Sequence, residues 1–159
     1  MTNAPTRTSL ALSLGLLCAT TAQAADFEVR RTIHLPASPT EVWHHVGDFC
    51  DIDDWHPDIS ACALKVVDGS LTRILTTTDG ATFTEKRIAS EQGLSYTYKI
   101  TDAPIPVEKF TATFSIEPRN GSQVDWYVRF SSDDPTTEAM VATFFDTGLK
   151  AIERTFTEN

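Results

Sequence analysis

Five turn signals divide the middle of the chain. Asp68-Gly69, Asp79-Gly80, Gln92-Gly93, the run Ala103-Pro104-Ile105-Pro106, and Asn120-Gly121 separate short segments rich in apolar and β-branched residues. Glycine in such pairs supplies the positive φ that a tight reversal needs, and proline cannot sit inside a central strand. This spacing predicts an antiparallel meander of six strands between Ala61 and Ser131.

The flanks supply one more strand and the helices. Val29, Arg31, Ile33 and Leu35 alternate with Arg30, Thr32 and His34, which predicts a first strand ending at Pro36. Ser38-Pro39-Thr40-Glu41 then reads as a capped helix start, with Ser38 as cap, proline at the first helical position and Glu41 closing the box. Val42, Val46 and Phe49 form its apolar face, Gly47 can break it, and a short second turn can run to Trp55 before Pro57 stops it. Asp134-Pro135 opens a last helix whose stripe is Val141, Phe145, Leu149, Ile152 and Phe156, widened by Met140 and Phe144. Gly148 lies inside that helix at a cost of about 1 kcal/mol against alanine, which close approach to the sheet or room for a guest would offset. The order is β-α-α-β6-α. It predicts an α+β fold with a seven-stranded curved antiparallel sheet and a long C-terminal helix across one face. A helix laid on a curled sheet need not fill all the space beneath it.

Turn lengths set the register. A two-residue turn at Asp68-Gly69 pairs Val67 with Ser70 and points Leu71, Arg73 and Leu75 inward. A three-residue turn at Thr78-Asp79-Gly80 pairs Thr77 with Ala81 and puts Arg73 opposite Glu85, both facing in. A two-residue turn there would send Glu85 to the other face. Arg119-Asn120-Gly121 needs the three-residue form to match its own flanks. The other predicted inner faces are Leu94-Tyr96-Tyr98-Ile100, Phe110-Ala112-Phe114-Ile116 with Glu108 continuing it, Val124-Trp126-Val128-Phe130, and Cys62-Leu64-Val66.

Composition narrows the partners. The 159 residues carry 22 acidic and 13 basic side chains, a net charge of −9, with no Lys/Arg cluster. That argues against a nucleic-acid partner and against an anionic membrane surface. Ser9–Leu17 is apolar but too short to span a bilayer, and Ala22-Gln23-Ala24 has the small-x-small form of a signal-peptidase site. Residues 1–24 are therefore expected to be a signal peptide, and 25–159 a single exported domain, periplasmic or secreted, with no stable membrane anchor. Cys50 and Cys62 remain after cleavage. They can form a disulfide, which export permits, or serve as two small buried hydrophobes.

The capped stretch Ser38-Pro39-Thr40-Glu41-Val42-Trp43, with Gly47-Asp48-Phe49, Trp55-His56-Pro57, Asp79-Gly80 and Pro104-Ile105-Pro106-Val107, resembles one family in order and spacing. It is the helix-grip superfamily of START and birch-pollen-allergen proteins, SRPBCC, in its bacterial polyketide cyclase/dehydrase-like branch. The resemblance covers Phe27–Phe156. It implies a site for a hydrophobic or amphipathic small molecule between sheet and last helix. It also brings in exported accessory proteins of methanol oxidation, for which an acidic surface would suit a basic periplasmic partner.

The inner faces nominate the ligand-binding residues. Arg73 could hold a carboxylate or hydroxyl while Glu85 keeps it aimed; a surface cross-strand pair is the plainer alternative. His56 could bind a ligand or act as acid or base, or simply cap a loop. Trp55, Tyr96, Tyr98, Phe110, Phe114 and Trp126 supply aromatic walls from the helix turn and sheet, and Phe144 and Phe145 from the last helix. They are core residues first, and only the part facing a void can touch a guest. Asp51, Asp53, Asp54 and Asp58 lack the glycine and closing glutamate of a calcium loop and read as a solvated acidic face. No nucleophile constellation, Gly-rich phosphate loop, zinc spacing or dinucleotide fingerprint occurs, so no cofactor is expected. A non-catalytic carrier or sensor comes first, then an accessory protein acting through its surface. Third is a cyclase or dehydratase with His56 or Glu85 as base and Arg73 or Tyr98 as electrophilic helper.

Overall fold

The structure is a computed structural model and describes residues 23–158. The expected signal segment, apart from its last two positions, lies outside the described residues. The elements are β1 (Ala25–Leu35), α1 (Pro39–Val46), α2 (Ile52–Trp55), β2 (Ile59–Val67), β3 (Ser70–Thr77), β4 (Thr82–Glu91), β5 (Ser95–Asp102), β6 (Glu108–Pro118), β7 (Ser122–Ser132) and α3 (Thr137–Thr157). All seven strands form one antiparallel sheet in the order β1-β7-β6-β5-β4-β3-β2. No helix among the described residues is long and apolar enough to cross a membrane.

The expected turns are present. Val67 pairs with Ser70, and Pro118 with Ser122 across a three-residue loop. Thr77 donates its amide to Ala81, Gly80 takes φ +89°, and Arg73 stands opposite Glu85. The capping box forms at α1, where Ser38 and Glu41 each accept the other's backbone N–H. Val42, Val46 and Phe49 are buried beneath it.

Two bulges depart from simple alternation. Between Glu108 and Thr111, β6 carries one residue more than β7, with Lys109 at φ +53°. That extra residue pairs Glu108 with Ser131 and turns it to the outer face, exposed, instead of extending the Phe110 face. In β4, the register shift between Arg87 and Ala89 leaves Ile88 half exposed. On β2, Leu64 opposes Arg73 and Val66 opposes Leu71, so both share the inner side. No helix among the described residues covers them at that sheet edge, and they are 51% and 71% exposed.

The core lies between the concave sheet and α3. Trp126 stacks on Phe145 with centroids 4.1 Å apart and rings 7° from parallel. Phe114, Trp55 and Tyr96 extend this aromatic packing toward α1 and α2. Arg31 Nε donates to Asp146 Oδ1 at 2.7 Å and ties β1 to α3. Cys50 and Cys62 are joined as a disulfide, which settles the open alternative and fixes the α1–α2 loop to β2.

Candidate functional site

The aromatic packing fills one end of the space under α3, and the other end holds a cavity of about 340 Å³. Its floor comes from β3, β4, β5 and β6 through Leu75, Phe83, Glu85, Tyr98, Ile100 and Phe110. Its roof is the first half of α3, with Met140, Val141, Phe144 and Phe145. Its rim is Asp58 and Ile59 after α2, the Thr77–Asp79 turn, and Ile105 of the proline-rich loop. The volume suits a small ligand, at the low end of ordinary binding sites.

Arg73 lies next to this space and outside its lining. The side chain is fully buried. Its Nε donates to Glu85 Oε2 at 2.6 Å, and Nη1 donates to the Phe49 carbonyl. The guanidinium carbon sits 4.3 Å from the Phe49 ring centroid, 4.9 Å from Tyr98 and 5.7 Å from Tyr96. Burial is the largest influence and opposes its charge, but the Glu85 carboxylate, with Tyr96 and Tyr98 beside it, together outweighs burial and raises its pKa above the ordinary guanidinium value. Nη2 is buried with no hydrogen-bond partner among the described residues. The carboxylate of Glu85, 8% exposed, is the charged group of the pair that borders the cavity. Its Oε2 is taken by Arg73, and its Oε1 accepts no hydrogen bond from the described residues.

Tyr98 is the second polar group on the floor. Its hydroxyl accepts from Trp126 Nε1 at 3.0 Å, which leaves its own proton available. Burial, reinforced by the Glu85 charge, pushes its pKa well up, so it stays a donor.

His56 is 1% exposed and fully engaged. Asp58 N donates to Nδ1 at 3.2 Å, which assigns the proton to Nε2, and Nε2 donates to the Phe144 carbonyl at 3.0 Å. The ring stacks on Phe144 at 3.9 Å. Burial lowers its pKa, against the opposing pull of the Phe144 carbonyl and Asp58. Gly148 is explained here. A Cβ on it would stand 2.5 Å from His56 Cδ2 and 3.0 Å from Trp55 Cζ3. The close approach is therefore to the end of α2 and not to the sheet.

Of the residues nominated from the sequence, Glu85, Tyr98, Phe110, Phe144 and Phe145 line the cavity. Trp55, Phe114, Trp126 and Tyr96 form the packed aromatic end, and His56 and Arg73 support wall residues from behind. Phe83, Met140 and Val141 were not nominated. Phe83 shares a face with Glu85, and Met140 and Val141 lie on the apolar side of α3, so periodicity carried a signal for all three. Asp58 and Asp79 come from loops, where periodicity carries none. Asp53 Oδ2 accepts the Cys62 amide at 2.8 Å and so caps the edge strand. Asp51 Oδ2 accepts from Asp48 N.

Known proteins of this shape bear on the site. A protein of uncharacterised function from Bacillus thuringiensis aligns at 27% identity over 82% of this chain and 98% of its own, with TM-score 0.74. XoxI from Bacillus cereus aligns at 28% identity over 81% and 94%, with TM-score 0.73. The ZhuI aromatase/cyclase of Streptomyces sp. R1128 shares the fold, with TM-score 0.66 at 14% identity over 85% and 99%. No curated protein matches the chain. The family model described as polyketide cyclase / dehydrase and lipid transport matches residues 26–157, so this chain belongs to that SRPBCC family.

Proposed function

We propose that this protein is an exported carrier or sensor that holds a small hydrophobic or amphipathic molecule under the first half of α3. The observation that carries the reading is the cavity of about 340 Å³, walled by aliphatic and aromatic side chains with Glu85 and Tyr98 on its floor. Membership of a lipid-transport and cyclase family supports it. The site test is native mass spectrometry of protein purified from its source, beside Val141→Trp, which puts an indole into the cavity. A retained small molecule that the variant lacks is the expected result. Repeated absence of any ligand, with no uptake of a fluorescent apolar probe, overturns it. Export rests on the residue 1–24 pattern, and the Cys50–Cys62 disulfide suits an oxidising compartment. A mature N-terminus near Ala25 is expected; an intact Met1 on the natural protein overturns it.

The exposed edge at Leu64 and Val66, on a chain of net charge −9, favours a second reading. In it the protein acts through its surface on a basic periplasmic partner, the accessory role that the methanol-oxidation resemblance implies. A specific pull-down with an empty cavity would select it. A cyclase or dehydratase activity would have to use Glu85 and Tyr98, because both ring nitrogens of His56 are engaged.

A further inference from the structure

We propose that the ligand presents a hydrogen-bond donor to the floor of this cavity, an amine, ammonium or hydroxyl, and that the site rejects amphiphiles with an anionic head. The inference rests on the cavity being the binding site and specifies the polar chemistry of its guest.

The charges around the cavity are all of one sign. Asp58, Asp79 and Glu85 line it, and none of the described lining residues is Lys, Arg or His. Arg73, the nearest guanidinium, lies behind Glu85 and is held by Glu85 Oε2 and the Phe49 carbonyl. A carboxylate or phosphate head on the floor would meet the Glu85 oxygen before any cation. Like charges in a site of low water content repel strongly, and nothing in the lining offsets that.

A donor is served instead. Glu85 is more than nine-tenths buried and lines the void, and its Oε1 accepts no hydrogen bond from the described residues. The Tyr98 hydroxyl beside it can accept or donate. Phe83, Phe110 and Phe144 line the same void, and aromatic faces favour a cation or an alkyl chain. At the mouth, Asp79 stays ionised because Thr77 and Ala81 donate to it. Because Arg73 offsets part of the Glu85 charge, a cation gains less and an anion is repelled less than at a lone carboxylate. The discrimination against anions that remains comes from Glu85, Asp58 and Asp79 together, with no cationic side chain among the described lining residues.

Three probes of one chain length decide the matter: octylamine, octanol and octanoate, titrated at neutral pH by calorimetry or tryptophan fluorescence. The expected order is octylamine at or above octanol, with octanoate weaker than octylamine by about tenfold or more. Glu85→Gln removes the carboxylate and is expected to bring octanoate within a few-fold of octanol. Should that variant fold poorly, the ranking on the unaltered protein still decides. Octanoate binding as well as octylamine overturns the inference and leaves the cavity as a binding site. If octanol, octylamine and octanoate all fail to bind, the cavity reading falls, and the inference with it.

Discussion

Arg73 and Glu85 meet at 2.6 Å across β3 and β4, and only the carboxylate member of the pair lines the cavity. The turn count at Thr78–Gly80 brings the two together, and depth then separates their roles. Arg73 fixes the orientation of Glu85 and, through the Phe49 carbonyl, links the sheet to the segment after α1. Any guest meets Glu85.

Breaking this pair on one side should be costly. Arg73→Met leaves Glu85 without its counter-charge, and a loss of about 3–5 kcal/mol is expected in urea denaturation. Arg73→Met combined with Glu85→Leu should lose much less than the sum of the two single changes. Additive losses in that double-mutant cycle would show that the pair is not coupled.

Gly148→Ala should destabilise the protein, although alanine is the better helix former by about 1 kcal/mol. The new methyl meets the His56 ring, which is held at both nitrogens, and the edge of Trp55. Overpacking of this kind costs about 1–3 kcal/mol, so a net loss is expected, together with a changed His56 ring signal in NMR. A rise in midpoint would contradict the contact.

Acidification should weaken the fold through His56. Its folded pKa lies below the ordinary 6.5 because the neutral ring is buried against Phe144 and Trp126. The unfolded chain therefore takes up the proton first as pH falls through 6.5, and stability drops until the folded pKa is reached. Above 6.5 this contribution is flat. Denaturation midpoints between pH 7.5 and 5 should fall less in His56→Gln than in the unaltered protein; equal slopes would remove the assignment.

Reducing the Cys50–Cys62 bridge should cost about 2–3 kcal/mol, since it closes a loop of a dozen residues. The bridge also sits next to Phe49, which holds Arg73. Cys50→Ala with Cys62→Ala is accordingly expected to loosen the packing around Arg73, read as faster amide exchange in β3. Midpoints that do not respond to reductant would contradict this.

The parts of the site that follow from counting residues were legible in the sequence. Glycine-bearing turns of two and three residues determine the register, and the register determines that Arg73 opposes Glu85. Which of the two reaches the cavity depends on how deep each side chain sits and on what its free atoms meet. A strand pattern does not encode that. The outward turn of Glu108 escaped for another reason: its bulge needs a left-handed Lys109, which no local preference announces. Leu64 and Val66 were placed on the correct side of β2, but how far a helix extends over a sheet edge is a tertiary fact. The role of His56 turned on two backbone groups, Asp58 N and Phe144 O, one of them far away in sequence.

β1 has a single neighbour in the sheet, and that neighbour is the last strand: Ala25 stands opposite Ser132. The first strand to be synthesised is thus the one whose place is prepared last. The meander from β2 to β7 can zip up locally, hairpin by hairpin, while β1 waits for a partner that is synthesised near the end. Closure across such a separation is slow in folding time. Until it happens, β1 stays unpaired beside a meander that is already zipped, an open edge on β7.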